Sequence, residues 1–198
     1  MNIIYDNIYK SHPINTNSKN AHGCITEILD KIKSNFDDML SRHSKVFALR
    51  FDIRYPKGDT TYDKNKINDF NYNFKRNLNR EKVQGGHKVD PRLISVHEKH
   101  KSDKNHYHYL LLVNGNAHQS GYYLHQKVNK IWKNMLNSSE DGLVDFCNKG
   151  HKNGIMIDKN SPEFEEQYNE AFYQASYLAK KRGKENPDKG AWLVKSGH

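Results

Sequence analysis

The strongest constraint on the fold is an apolar run headed by two histidines, His106 to Val113 (HYHYLLLV). Aromatic and aliphatic residues in a run of this length indicate a buried β-strand. A second run of this kind, Pro91 to Glu98, precedes it, and the residues between them, 99–105 (KHKSDKN), are polar and charged. The two runs therefore predict an antiparallel hairpin with a polar connecting loop.

This hairpin is expected to bring three possible metal ligands together. Strand residues alternate between faces, so His106 and His108 lie on the same side, while His97 faces away from Glu98. Glu98 is expected opposite or nearly opposite His106, where paired residues have Cβ atoms about 4.5–5.5 Å apart. Two imidazoles and one carboxylate suit Mn²⁺ or Mg²⁺. The alternative is a pair of half-exposed strand histidines in a chain that has 12 histidines.

The rest of the chain predicts helices interleaved with strands, in the order α-β-α-β-β-α-β-β-α. In the first long strand, strict alternation places five apolar residues on one face: Phe47, Leu49, Phe51, Ile53 and Tyr55. Apolar residues at helical spacing predict four helices, the last running from Pro162 to about Lys181, and residues 1–17 are expected to be irregular. Together these elements predict an α+β fold, with helices packed on an antiparallel sheet.

The charge of the chain favours a polyanionic partner. It carries 32 Lys and Arg against 23 Asp and Glu, a formal net charge of +9. An excess of this size favours a protein that binds nucleic acid over a soluble protein that is merely basic. Two cysteines, Cys24 and Cys147, are too few for a disulfide framework and predict free thiols in a reducing compartment. No run approaches the roughly 18 apolar residues of a membrane span and no signal segment begins the chain. We therefore expect a cytoplasmic protein without membrane association.

The last predicted helix carries Tyr173, Tyr177 and Lys180, which share one helix face. A tyrosine on a helix more often packs in a core, and the same Tyr-x-x-Lys spacing also occurs at Tyr72 and Lys75. The opposite face of the last helix already supplies apolar packing, so the tyrosine face is free to meet a polar group. Beside a divalent metal, a tyrosine hydroxyl can attack a phosphodiester and form a covalent phosphotyrosine, with a lysine stabilising the charge.

Taken in order, these motifs resemble those of the HUH endonucleases. These enzymes are the rolling-circle replication initiators of phages, plasmids and single-stranded DNA viruses. Three motifs are similar to theirs and come in the same order: the alternating strand that ends at Tyr55 and Pro56, the set of Glu98, His106 and His108, and SYLAK at 176–180. Within the superfamily, the chain is most similar to the YagK/YfjJ C-terminal domain family, prophage-borne replication proteins of the inovirus type. One departure is Tyr107 between the two histidines, where the family usually has an aliphatic residue.

The resemblance implies a single HUH nuclease domain over residues 1–198, with a helical extension (1–44), a catalytic core (45–184) and a short basic tail (185–198). It implies an antiparallel sheet of about five strands, with the His-x-His pair on a central strand.

The resemblance also implies Mg²⁺- or Mn²⁺-dependent nicking of a single-stranded DNA origin. Glu98, His106 and His108 would bind the metal, Tyr177 would carry the 5′ phosphate with Lys180 assisting, and the free 3′ hydroxyl would prime rolling-circle replication. Tyr173 would be a second nucleophile or a bystander. No helicase domain fits the remaining length, so a host helicase and polymerase are expected partners. Five cationic residues are expected to contact DNA: Arg50, Arg54, Lys181, Arg182 and Lys184.

Two other functions stay open at this point. One is a non-catalytic DNA-binding or regulatory protein on the same fold, and the presence of every catalytic residue type argues against it. The other is a single-domain HUH transposase, which the long first helix and the inserted third helix fit poorly.

Overall fold

The computed structural model describes residues 2–16, 22–58, 64–99, 105–147, 154–181 and 193–194. Four two-residue strands come first: β1 (Ile3–Ile4), β2 (Ile8–Tyr9), β3 (His12–Pro13) and β4 (Cys24–Ile25). The longer elements follow in the predicted order: α1 (Thr26–Arg42), β5 (Lys45–Arg54), α2 (Lys64–Asn79), β6 (Arg92–Lys99), β7 (Asn105–Asn114), α3 (Gly121–Leu136), β8 (Val144–Phe146), β9 (Ile155–Asp158), α4 (Phe164–Ala175) and a final short strand, β10 (Leu193–Val194). None of these described helices is long and apolar enough to cross a membrane.

One antiparallel sheet organises the molecule, and β7 lies near its centre. β7 pairs with β6 on one side and with β5 on the other, and β10 adds to the far edge of β6. The outer edge of β5 is shared, because β9 pairs with its first half and β8 with its second half. The α+β class, the antiparallel sheet and the position of the His-x-His pair on a central strand are therefore confirmed.

A separate apolar layer covers each face of the sheet. The five alternating residues of β5, Phe47 to Tyr55, are all buried in one layer, which α2 and α3 cover. On the opposite face, sheet residues such as Ile94 and Leu110 pack against α1 and α4. Burying a large apolar side chain contributes about 1.5–3 kcal/mol, so both layers stabilise the sheet that carries the histidines.

The prediction that residues 1–17 are irregular was wrong. β2 and β3 form a small hairpin, and β1 pairs with β4 in a second two-stranded sheet. Strands of two residues are too short to show a period, which is why the sequence pattern missed them. Ile14 and α1 are buried in the same apolar layer as α4, so the N-terminal segment packs on the sheet.

The last helix ends earlier than predicted. α4 stops at Ala175, residues 176–179 form a 3₁₀ turn, and Lys180 forms an isolated antiparallel bridge with Cys24. The hydroxyl of Ser176 donates to the carbonyl oxygen of Tyr173 at 2.7 Å and accepts the N–H of Asn15 at 2.8 Å. Such side-chain bonds compete with the helical ladder, and here they attach the chain to the N-terminal segment.

Candidate metal centre and nucleophile

Glu98, His106 and His108 converge at the loop end of the β6–β7 hairpin. Glu98 pairs directly with His106 across the ladder, as predicted. The Nε2 atom of His106 lies 3.5 Å from Oε2 of Glu98, and Nε2 of His108 contacts the same oxygen. One donor atom from each residue lies within 4.8 Å of the others, so this buried cluster can hold a metal ion. His97 stacks on Tyr107 on the opposite face, also as predicted.

Asp52, to which the sequence analysis assigned no role, orients His108 from the neighbouring strand. The two residues pair across the β5–β7 ladder, and Nδ1–H of His108 donates to Oδ1 of Asp52 at 2.7 Å. With Nδ1 occupied, the Nε2 atom is the one that faces Glu98. A carboxylate behind a histidine in this way orients metal ligands in many proteins. The alternation in β5 places Asp52 on the face of the strand opposite the five apolar residues. No pattern in the sequence specifies the pairing between β5 and β7.

The charges around His108 also fit a cation. Burial alone would lower the pKa of His108, but its bonds to Asp52 and Glu98 outweigh burial and hold the pKa above its usual range. Burial would raise the pKa of Asp52, yet the bond from His108 keeps that pKa below normal. The raised pKa favours the protonated imidazole, which places a positive charge between two carboxylates. A divalent ion bound by Glu98, His106 and His108 would carry that charge instead, so the donor set suits a metal.

Tyr177 reaches this cluster from the 3₁₀ turn after α4. Its ring meets the His108 ring edge to face, with centroids 5.2 Å apart. The guanidinium carbon of Arg50 and the Nζ atom of Lys180 lie 4.0 and 4.1 Å from the centroid of the Tyr177 ring, which is within cation–π range. The predicted nucleophile, a predicted metal ligand and two predicted cationic residues therefore lie together.

The environment of Tyr177 keeps its hydroxyl protonated. Burial raises its pKa most, and the nearby charge of Glu98 raises it further, while Arg50 opposes both. The net pKa lies above the normal value, so the phenol is neutral at physiological pH. A positive charge near Glu98 would offset the effect of that carboxylate and lower the pKa of the phenol.

Tyr173 does not share in these contacts. Its side chain is 43% exposed, and among the described residues no hydrogen bond, ion pair or ring contact joins it to the cluster. The helical geometry that was predicted to align it with Tyr177 ends at Ala175. Tyr177 lies in the 3₁₀ turn that follows, where 3.0 residues per turn replace 3.6, so the regular α-helical alignment with Tyr173 is not continued.

The other predicted DNA contacts lie around the site or outside the described residues. Arg54 pairs with Asp145 at 3.3 Å and is half-exposed. The backbone N–H of Lys181 donates to the carbonyl of Gly23 at 2.9 Å. Arg182 and Lys184 lie outside the described residues.

Comparison with known proteins identifies one family. The family model of the YagK/YfjJ C-terminal domain matches residues 9–191. The match begins well before residue 45, so it takes in α1 and much of the N-terminal segment that packs on the sheet. No curated protein and no solved structure matches the chain.

Proposed function

We propose that this chain, which belongs to the YagK/YfjJ C-terminal domain family, is a metal-dependent endonuclease that nicks single-stranded DNA. The observation that carries the proposal is the 5.2 Å ring contact between Tyr177 and His108. This contact places the hydroxyl-bearing side chain of Tyr177 beside a cluster of residues that can bind a metal. Tyrosine-mediated phosphoryl transfer requires this combination. The central His-x-His strand supports an HUH-type fold in the same proposal.

Glu98, His106 and His108 would hold Mg²⁺ or Mn²⁺, and Asp52 would keep His108 in the ligating orientation. The bound ion would offset the charge of Glu98 and polarise a non-bridging oxygen of the DNA phosphate. Asp52 has a second role in this arrangement, since it keeps a proton on Nδ1 of His108 and so leaves Nε2 unprotonated for ligation.

In the proposed step, the Oη atom of Tyr177 attacks phosphorus and the bond from phosphorus to the 3′ oxygen breaks. The phenolic proton leaves to solvent, and the 3′ oxygen takes up a proton. The 5′ phosphate stays on Tyr177. Arg50 and Lys180, both about 4 Å from the centre of the tyrosine ring, stabilise the negative charge that develops on the phenol and the phosphate.

The free 3′ hydroxyl then primes synthesis, so the chain would initiate rolling-circle replication of a phage or prophage-like element. Its substrate would be a single-stranded origin, and a host helicase and polymerase would act with it in the cytoplasm. The basic surface near Tyr177, which includes Arg54 and Lys181, would bind the sugar-phosphate backbone.

Covalent capture tests this function. The protein is incubated with Mn²⁺ and a pool of single-stranded oligonucleotides of random sequence, and adducts are measured by denaturing electrophoresis and peptide mass spectrometry. We expect a phosphotyrosine adduct at Tyr177 in the wild type. Tyr177→Phe should form none, whereas the matched control Tyr173→Phe, which makes the same chemical change four residues away, should form it normally.

The outcomes separate the candidate functions. Equal adduct formation by Tyr177→Phe and the wild type would contradict the proposal. DNA binding by the wild type with no adduct for any sequence in the pool would favour a non-catalytic DNA-binding protein. Joining of two hairpin-ended DNA strands would favour a transposase.

A further inference from the structure

The helix α2 has a composition that helix stability does not explain. Six of its 16 residues are asparagine. Asparagine forms helices poorly, because its side chain competes for backbone hydrogen bonds, and surface helices are normally filled by residues such as Ala, Glu and Lys. Asn77 bonds the backbone carbonyl of Asn73 in the same helix, but Asn65, Asn68 and Asn79 are exposed, which points to a use outside the helix.

The apolar and polar residues of α2 lie on opposite sides. Ile67, Phe70, Phe74 and Leu78 are fully buried and fix the helix to the sheet. The opposite side, which we call the outer face of α2, continues one residue past the helix and consists of exposed residues: Asn65, Asn68, Asp69, Tyr72, Arg76, Asn79 and Arg80. Tyr72 is 64% exposed, more than any other large hydrophobic side chain in the described residues.

The outer face of α2 is positively charged. It carries two arginines, Arg76 and Arg80, against one acidic residue, Asp69, and the helix as a whole contains four basic residues. In the described part of the chain no carboxylate pairs with Arg76 or Arg80, and the guanidinium carbon of Arg76 lies 6.0 Å from the ring centroid of Tyr72. These positive charges suit a polyanion.

We propose that the outer face of α2 binds duplex DNA in its major groove, at a surface separate from the Tyr177 site. A helix about 10–12 Å across fits a major groove about 12 Å wide. Asparagine amides match the edge of adenine, arginine matches guanine or phosphate, and a tyrosine hydroxyl can bond phosphate. The choice of DNA as the partner rests on the proposed function.

The two surfaces lie on opposite faces of the sheet. Phe70 and Phe74 of α2 contact Tyr109 and Phe51 edge to face, in the apolar layer away from the metal cluster. Tyr177 and His108 lie on the other side of the sheet, so a duplex bound to α2 does not compete with a single strand at Tyr177. The outer face of α2 would hold the duplex part of an origin while its single-stranded part is cut.

The test measures the affinity of the full chain for a random-sequence duplex and a random-sequence single strand, by fluorescence anisotropy over a range of salt concentrations. EDTA is present, so that no cleavage occurs. For the duplex, we expect Arg76→Gln/Arg80→Gln to reduce the slope of log K against log salt by about 1.8, because each phosphate contact contributes about 0.9. Binding of the single strand should change little.

Matched variants control for charge and folding. Lys31→Gln removes one positive charge from α1 and should leave the slope of log K against log salt for the duplex unchanged. The single variant Arg76→Gln removes one charge from α2 and should reduce that slope. Arg76→Lys keeps the charge and should keep the slope. An unchanged duplex slope in Arg76→Gln/Arg80→Gln, or an equal loss for duplex and single strand, would overturn the proposal. Because this assay needs neither metal nor Tyr177, its result is independent of the adduct experiment.

Discussion

His108 lies directly across the β5–β7 ladder from Asp52, with its Nδ1 atom 2.7 Å from Oδ1 of the carboxylate. Both side chains are buried. A carboxylate can only accept this bond, so the proton resides on Nδ1 of His108. In the neutral histidine that a metal requires, the pair therefore selects the Nδ1–H tautomer and leaves Nε2 directed at Glu98.

Asp52→Asn should weaken Mn²⁺ binding about 10- to 100-fold, the usual effect of changing a residue that orients a metal ligand. An amide is neutral and holds the imidazole less firmly. Isothermal titration with Mn²⁺ measures the change. Asp145→Asn is the matched control, since Asp145 pairs with Asp52 across the β5–β8 ladder but is exposed and bonds to Arg54. Equal losses in both variants would mean that general charge, and not orientation of His108, sets the affinity.

The stability of the metal-free protein should fall as the pH rises past the unfolded pKa of His108, about 6.5. The pKa of His108 is raised on folding, so its contribution is fully present below its unfolded value of about 6.5 and is lost as the pH rises through the folded value. The pKa of Asp52 is lowered, so its contribution is lost only in acid. Thermal unfolding in EDTA at about pH 6 and about pH 8 tests this sign.

His108→Gln is the control for that experiment, because it removes the titrating group. The drop in melting temperature between the two pH values should be smaller in this variant than in the wild type. Added Mn²⁺ should reverse the trend, since metal binding requires His108 to lose its Nε2 proton and so strengthens with pH. A wild type that is more stable at the higher pH in EDTA would contradict the assignment.

Ser176→Ala should destabilise the fold by about 1–3 kcal/mol, because it leaves the partly buried N–H of Asn15 without its acceptor. Urea denaturation measures the change. Ser41→Ala removes a hydroxyl that also bonds a backbone carbonyl, but at an exposed position, and should cost no more than about 0.5 kcal/mol. If Tyr177 depends on this link for its position, Ser176→Ala will also slow adduct formation at temperatures where the protein stays folded.

Binding of single-stranded DNA should depend strongly on salt through Arg54 and Lys181. Each phosphate contact to a single strand contributes about 0.7 to the slope of log K against log salt. Arg54→Gln and Lys181→Gln should each reduce the slope by about this amount, while Lys31→Gln on α1 should not. A slope that is the same in all four proteins would exclude both residues from the DNA contacts.

The order of elements and the metal cluster could be predicted from the sequence for one physical reason, which is that both depend on local patterns. Alternation in β5 specified which residues of that strand are buried. The two apolar runs and the polar loop between them predicted the β6–β7 hairpin, and the pairing of Glu98 with His106 follows from that hairpin. The match of the family model supports the family to which the sequence motifs pointed.

The tertiary structure alone decided the parts of the site that join distant segments. Asp52 meets His108 because β5 pairs with β7, a register set by packing on both faces of the sheet. Tyr177 meets His108 while Tyr173 stays exposed, at the point where α4 stops and Ser176 bonds Asn15. The sequence by itself indicated the three candidate metal ligands and Tyr177, since residue type and period are local properties. Which of them touch was decided by long-range contacts, whose free energy depends on the whole folded chain.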